Sequence, residues 1–301
     1  MKVKVSVPAT TANLGPGFDC LGLALDLHNT VAVESTESGL QITVDGEGAR
    51  RIPINTSNLV YRSIATLFEH VAEPLPGLSI HLSNAIPLMS GLGSSSAAIV
   101  GGLVAANALL GKPLTVDELL ALAIEIEGHP DNVAPALLGG LIIVINSGGR
   151  PIYRRIEPPA LDVVVAVPEF RLATVEARAA LPDRVPLADA VFNLGRAALV
   201  VWGLSDADYE LLASVMEDRL HQPYRTPLVP GLEDVFQAAK RAGAAGVALS
   251  GAGPSVVAFA PDRHTAIAEA MRRVFAAYNL SARTLLLKTT TQGAQIEHVD
   301  T

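Results

Sequence analysis

From Ala85 to Gly111 the chain carries no charged side chain, and this stretch limits the fold more than any other. Such a run belongs inside protein or inside lipid. Its first half, Pro87-Leu88-Met89-Ser90-Gly91-Leu92-Gly93-Ser94-Ser95-Ser96-Ala97, is built largely of Pro, Gly and Ser. That leaves about 14 apolar-leaning residues where a bilayer span needs roughly 20. The pattern predicts a buried helix from Ala97 to Leu110, stopped by Gly111 and Pro113, on which the rest of the chain must pack. Gly91 and Gly93 have no Cβ, so their N–H groups can approach an anion closely. Ser94, Ser95 and Ser96 stand where the helix begins, and its positive dipole end would point at the same place. Two readings fit: a Gly-Ser loop that only caps a core helix, and a cradle for phosphate. The missing lysine excludes a G-x-x-x-x-G-K-[ST] loop, and Ser96 excludes G-x-G-x-x-G.

With 301 residues, 50% of them hydrophobic, the chain has enough core for two domains sharing a cleft. A net charge of −8 argues against general affinity for nucleic acid or an anionic membrane, so an anionic substrate must be met by a few placed cations and backbone N–H groups. The single cysteine, Cys20, can form no internal disulfide, which suits a reducing cytoplasm. Met1 to Pro8 alternates Lys2, Lys4 and Ser6 with Val3, Val5 and Val7. That is strand periodicity, without the charged-then-apolar layout of an export signal.

In chain order, a strand over Lys2–Val7 ends at Pro8, and Ala9 to Gly22 reads as a long packed loop rich in turn formers. Val31–Glu34, Leu40–Val44 and Leu78–Leu82 read as strands, Asn58–Val71 as a helix. Thr115 and Glu118 form a capping box for a helix through about Glu127, and Leu141–Ile145 is a strand. Ser147 to Pro159, with two glycines and three prolines, is the best linker, dividing the chain into domains 1–155 and 156–301. The second half reads strand (162–167), helices (187–202, 209–220, 232–242), strands (244–249, 255–259), helix (264–278) and strand (283–288). Grouped strands with interspersed helices predict an α+β fold.

Three further clusters can carry chemistry. His129, Asp131 and Asn132 lie together just after a helix that contains Glu125 and Glu127. No spacing there matches a dedicated metal site, but magnesium needs only a carboxylate, a hydroxyl and phosphate oxygens, which Glu125 or Glu127 with Ser94 or Ser95 would supply. Arg178 and Arg225 sit in irregular contexts where a planar guanidinium suits a carboxylate. Ser250-Gly251-Ala252-Gly253-Pro254-Ser255 is a hairpin turn by itself, or a second small-residue loop that faces the first.

Pro8-Ala-Thr-Thr-Ala-Asn13-Leu-Gly-Pro-Gly-Phe-Asp19, the Pro87–Ala97 loop and Ser250–Ser255 together resemble the three motifs of the GHMP kinases. Asn13 to Gly22, Glu127-Gly-His129-Pro-Asp131-Asn132 and Gln222-Pro-Tyr-Arg225 resemble the homoserine-phosphorylating branch of that superfamily, from residue 3 to residue 260. The resemblance implies a two-domain GHMP kinase fold, with a ribosomal protein S5 domain 2-like N-terminal part and a ferredoxin-like C-terminal part. It implies ATP and Mg2+ as cofactors, L-homoserine as acceptor, and a homodimer. Residue by residue, Pro87 to Ala97 would wrap the triphosphate, helped by Gly251 and Gly253, with Asn58 near the nucleotide. Ser95 and Glu125 would hold magnesium, Glu127 being the neighbouring alternative. Asn13, Asp19, His129, Asn132, Arg178 and Arg225 would surround the acceptor, Asp19 reading its ammonium and the arginines its carboxylate. Other superfamily members place an aspartate base near Asp131, whereas the resemblance to the homoserine-phosphorylating branch implies a reaction without a strong base. A mevalonate-type kinase and a catalytically silent nucleotide-binding regulator are the rival readings.

Overall fold

The computed structural model describes residues 1–300. The chain runs β1 (Lys2–Ala12), β2 (Leu21–Thr36), β3 (Leu40–Gly46), α1 (Leu59–His70), β4 (Gly77–Asn84), α2 (Ser94–Leu109), α3 (Val116–Glu127), α4 (Pro130–Leu138), β5 (Leu141–Ser147), β6 (Arg150–Ile156), β7 (Asp162–Pro168) and α5 (Thr174–Ala179). It continues through α6 (Leu187–Asp206), α7 (Tyr209–Val215), α8 (Gln222–Arg225), α9 (Leu232–Ala242), β8 (Gly246–Leu249), β9 (Val256–Phe259), α10 (His264–Ala277), β10 (Ala282–Lys288) and β11 (Gln295–Asp300).

The charge-free stretch does sit at the centre. Most of α2 is buried, from Ser96 through Ala108, and it packs on β1, β2, α1, α3 and α4. Gly101 lies against the Val31 side chain and Gly102 against the Val60 carbonyl, so neighbours come closer than a larger residue would allow. The sheet beneath has the order β11-β1-β2-β4-β3, with β5 pairing β2 and β6; β3 and β4 are parallel. The second sheet is antiparallel in the order β10-β7-β9-β8. With α9 and α10, this strand order gives the ferredoxin-like arrangement. One face of this sheet (Val163, Val165, Phe259) joins the core of the first sheet; its other face forms a separate core with α9 and α10.

Four sequence expectations change. Pro8 does not end β1: a register shift between Pro8 and Ala9 absorbs it, and Ala9–Ala12 pair with Gly22–Leu25, since a bulge tolerates a residue without an N–H. The N-terminal loop therefore shrinks to residues 13–20. The supposed linker is mostly β6, joined to β5 through Gly148 and Gly149, both at positive φ, as a two-residue hairpin requires. The passage between the sheets falls at Glu157–Leu161. Helix α7 stops at Val215, because Asp218 accepts amide hydrogen bonds from residues 220, 221 and 222 and starts α8 instead. Strand β11 was not anticipated; it returns to pair with β1.

Among the described residues, α6 is the one helix long and apolar enough to cross a membrane by length and composition.

Candidate active site

A cavity of about 390 Å³ lies where the first sheet's helices meet the 250–255 turn. Its floor is the glycine loop. Met89, Gly91 and Gly93 all have positive φ, and Gly93 is the N-cap of α2 without any side-chain cap. The first-turn amides of α2 are thus left for a ligand, at the positive end of the helix dipole. Ser94, Ser95, Ser96 and Ala97 line the cavity beside Leu88, Met89, Ser90, Gly91 and Gly93. Pro87 and Leu92 do not: Leu92 is in the core, and the Pro87 carbonyl accepts from Ser90 Oγ at 2.8 Å. Their part is to anchor the loop.

The second loop does face the first. Ser250 Oγ donates to the Gly91 carbonyl (2.6 Å) and lies 3.0 Å from Thr11 Oγ1; the Ser255 amide donates to the Ser90 carbonyl (3.1 Å). Gly251 lines the cavity, whereas Gly253 faces Leu249 and Leu172 and stays outside it.

Ser95 Oγ and Ser96 Oγ donate to the same Glu127 oxygen at 2.7 and 2.9 Å. The expected carboxylate, Glu125, is exposed and off the cavity wall. The helical phase explains this correction. Glu127 follows the buried Leu120, Ala123 and Ile124 by seven, four and three positions, on their face, while two residues on a helix turn about 200° to the far side. A hydroxyl and one carboxylate beside an uncapped helix N-terminus are a donor set that fits magnesium.

Asn58 lines the cavity, but its side chain is occupied. It caps α1 by accepting from the Val60 and Tyr61 amides, and it donates to the Pro53 carbonyl. Ile52, Pro53, Leu59 and Val60 make this end apolar.

At the other end stand the acceptor candidates. Asp131, 2% exposed, accepts from His129 Nδ1 at 2.9 Å and more weakly from Asn132 Nδ2. Burial alone would depress the His129 pKa, but the hydrogen bond and charge of Asp131, with Glu127, hold it above the ordinary 6.5. Asn132 Oδ1 accepts from Thr10 Oγ1 at 2.8 Å. Asn13 accepts from the Asp19 amide and donates to the Gly251 carbonyl. Asp19 and Arg178, expected to read opposite ends of an acceptor, are bonded to each other through two hydrogen bonds of 2.8 and 2.9 Å. The pair is about one-third to two-fifths exposed, so water screens it and it is cheaply exchanged. Arg225 is 2% exposed and donates to His221, the Ala177 carbonyl and the Gly251 carbonyl; burial, then the charge of Arg178, lowers its pKa. Burial, with Asp131 and Asp19, pushes the Cys20 thiol up to about 11, so it is unreactive.

Sequence reasoning missed Thr10, Thr11, Phe18 and His221. The last had a signal: His221 and Arg225 are one helical turn apart.

Two family models match the chain, "GHMP kinases N terminal domain" over residues 58–140 and "GHMP kinases C terminal" over residues 200–277. A curated homoserine kinase from Moorella thermoacetica is 49% identical over 90% of this chain and 92% of its own length. Another from Carboxydothermus hydrogenoformans is 46% identical over 97% and 96%. The crystal structure of homoserine kinase from Cytophaga hutchinsonii superposes with a TM-score of 0.88 at 35% identity, covering 98% of this chain and 97% of that one.

Proposed function

Because the chain belongs to the GHMP kinases and, within them, to the homoserine kinases, we propose that it transfers the γ-phosphoryl group of ATP to the side-chain hydroxyl of L-homoserine. The product is O-phospho-L-homoserine, for threonine biosynthesis. One observation carries this reading: the uncapped α2 N-terminus shares its cavity with an anion, Asp19, and two cations, Arg178 and Arg225. A phosphate donor and a zwitterionic amino acid each find a complement there.

The triphosphate lies along Gly91–Ser96, neutralised by loop amides and the α2 dipole, with the nucleoside in the apolar end. Ser95 and Glu127 would hold magnesium, which would supply positive charge to offset that of the phosphates. Homoserine enters by exchange: its ammonium takes Asp19, its carboxylate takes Arg178 and Arg225, and one exposed ion pair becomes two. Asn13, His129 and Asn132 fix the remaining polar atoms. Transfer through a loose transition state needs little early proton removal, so positioning carries the rate. Asp131 orients His129 and is available for the departing proton.

A mevalonate-type kinase would have no use for Asp19 together with two arginines, and a silent regulator would have no use for Ser95–Glu127. The test is ADP release with homoserine, threonine, serine or mevalonate in the presence of magnesium. Homoserine should be strongly preferred; turnover of mevalonate but not homoserine would refute the reading, and ATP binding without ADP release would favour the regulator.

The division at 155/156, the cytoplasmic setting and action on small molecules apart from nucleic acid and membrane belong to the same proposal, supported by the two family models on either side of that division and by the net charge of −8. So does homodimer formation. Its support is the outer face of α6, where Leu187, Val191, Leu194 and Trp202 are 60–79% exposed with no charge among them, a patch of the kind that marks interfaces. Sedimentation velocity should give a dimer that Leu194→Glu dissociates; a wild-type monomer at all concentrations would end this part.

A further inference from the structure

Behind Arg225 and the 13–20 loop lies a buried imidazole that does not itself line the cavity. His221 is 0% exposed, and its ring stacks on Phe18 with centroids 5.2 Å apart. Nε2 lies 2.8 Å from the Gly15 carbonyl and Nδ1 lies 3.1 Å from Arg225 Nη1. These partners fix its state without appeal to pH. A carbonyl can only accept, so Nε2 carries the hydrogen; a guanidinium can only donate, so Nδ1 carries the lone pair. The ring is therefore neutral, and burial acts in the same direction by lowering its pKa. Asp218 steadies it from behind by accepting the His221 and Gln222 amides and the Asn193 side chain.

The consequence is a mechanical link between two parts of the site that arise far apart in the chain. On one side is the 13–20 loop, whose Gly15 and Phe18 His221 holds and whose Asn13 and Asp19 face the cavity. On the other is Arg225, whose Nε and Nη1 are spent on Ala177, Gly251 and His221. Among the described residues its Nη2 makes no protein hydrogen bond, and the residue lines the cavity. We infer that His221 is a positioning residue for the acceptor, locking Arg225 to the loop that carries Asp19 and so setting the distance between the cation and the anion that select a zwitterionic amino acid. The inference rests on the proposed function and adds the element that spaces its two recognition charges.

The test compares steady-state kinetics of wild type, His221→Phe and His221→Asn with homoserine and MgATP. The phenylalanine keeps the stack on Phe18 and removes both nitrogens; the asparagine returns an oxygen near the Nδ1 position that can accept from Arg225. Loss of a hydrogen bond to a charged group should raise the homoserine KM of His221→Phe about ten- to hundredfold. The ATP KM should stay within about twofold and kcat should change less than the homoserine KM, because only acceptor placement is disturbed. His221→Asn should bring the homoserine KM back to within about threefold of wild type. A merely structural role predicts that both KM values move together, or that Asn behaves as Phe does, and either result overturns the inference. So does an unchanged homoserine KM in folded His221→Phe. If that variant does not fold, His221→Leu takes its place, with neither donor nor acceptor for Arg225, and the same split is required of it. No homoserine turnover by wild type would instead overturn the proposed function, and this inference with it.

Discussion

Alanine at position 91 should damage this enzyme far more than alanine at position 39, although both glycines have nearly the same backbone angle, φ +83° and +86°. Each substitution pays for a left-handed non-glycine residue, about 1–2 kcal/mol. They differ in surroundings. A Cβ on Gly39 meets nothing within 4 Å, while one on Gly91 would stand 2.1 Å from the Ser250 carbonyl oxygen and 3.0 Å from that of Gly253. Contacts below 3 Å do not persist, and both obstacles are backbone, so the two loops must part by roughly 1 Å, at a further cost of about 1–3 kcal/mol. A misplacement of about 1 Å can cost about 100-fold in rate. Gly39→Ala should lower the melting temperature by about 2–4 °C per kcal/mol lost and leave kcat/KM for ATP within twofold. Gly91→Ala should lower the melting temperature further and reduce kcat/KM for ATP by on the order of 100-fold. Calorimetry and a coupled ADP assay on the two variants decide it. A Gly91→Ala enzyme within threefold of wild type would show that the contact between the loops does not set the cradle.

Glu127→Gln should raise the magnesium concentration needed for half-maximal activity by about tenfold or more, whereas Glu125→Gln should leave it within twofold; a magnesium titration showing the reverse would return the role to Glu125. The His129 ring should titrate above 6.5 in wild type and lower in Asp131→Asn, read by NMR of its ring protons. With the folded pKa raised, the pair's contribution to stability is complete below pH 6.5 and is lost as pH rises through the folded value, so denaturant midpoints should fall across that window in wild type and much less in Asp131→Asn. Cys20, pushed up to about 11 from the ordinary thiol value of 9.0, should react with iodoacetamide at pH 8 about 100-fold more slowly in the native protein than after unfolding; equal rates would contradict its burial near Asp131.

What could be read beforehand was local chemistry. The Thr115–Glu118 box, the glycine-to-serine entry into α2 and the buried run after it depend on neighbours in sequence, and each formed where its pattern placed it. What could not be read depends on distant partners. Gln295–Asp300 becomes a strand because β1 offers an edge, and Arg150–Ile156 because Gly148 and Gly149 fold it onto β5. Helical phase would have chosen Glu127 over Glu125, since Leu120, Ala123 and Ile124 already mark the inward face. The Asp19–Arg178 bond joins residues 159 positions apart, and no local pattern announces that these two charges rest on each other.

The contact between Gly91 and Ser250 also constrains how such an enzyme can evolve. The Gly91 carbonyl accepts from Ser250 Oγ, and the missing Gly91 side chain leaves room for the Ser250 carbonyl. A side chain at Gly91 would force the seam open, and loss of the Ser250 hydroxyl would take one hydrogen bond from the Gly91 carbonyl, so each loop constrains what the other can carry. The same seam reaches the 13–20 loop, because the Asn13 side chain donates to the Gly251 carbonyl next to Ser250, so a change of acceptor made in that loop must leave this joint of glycine and serine in place.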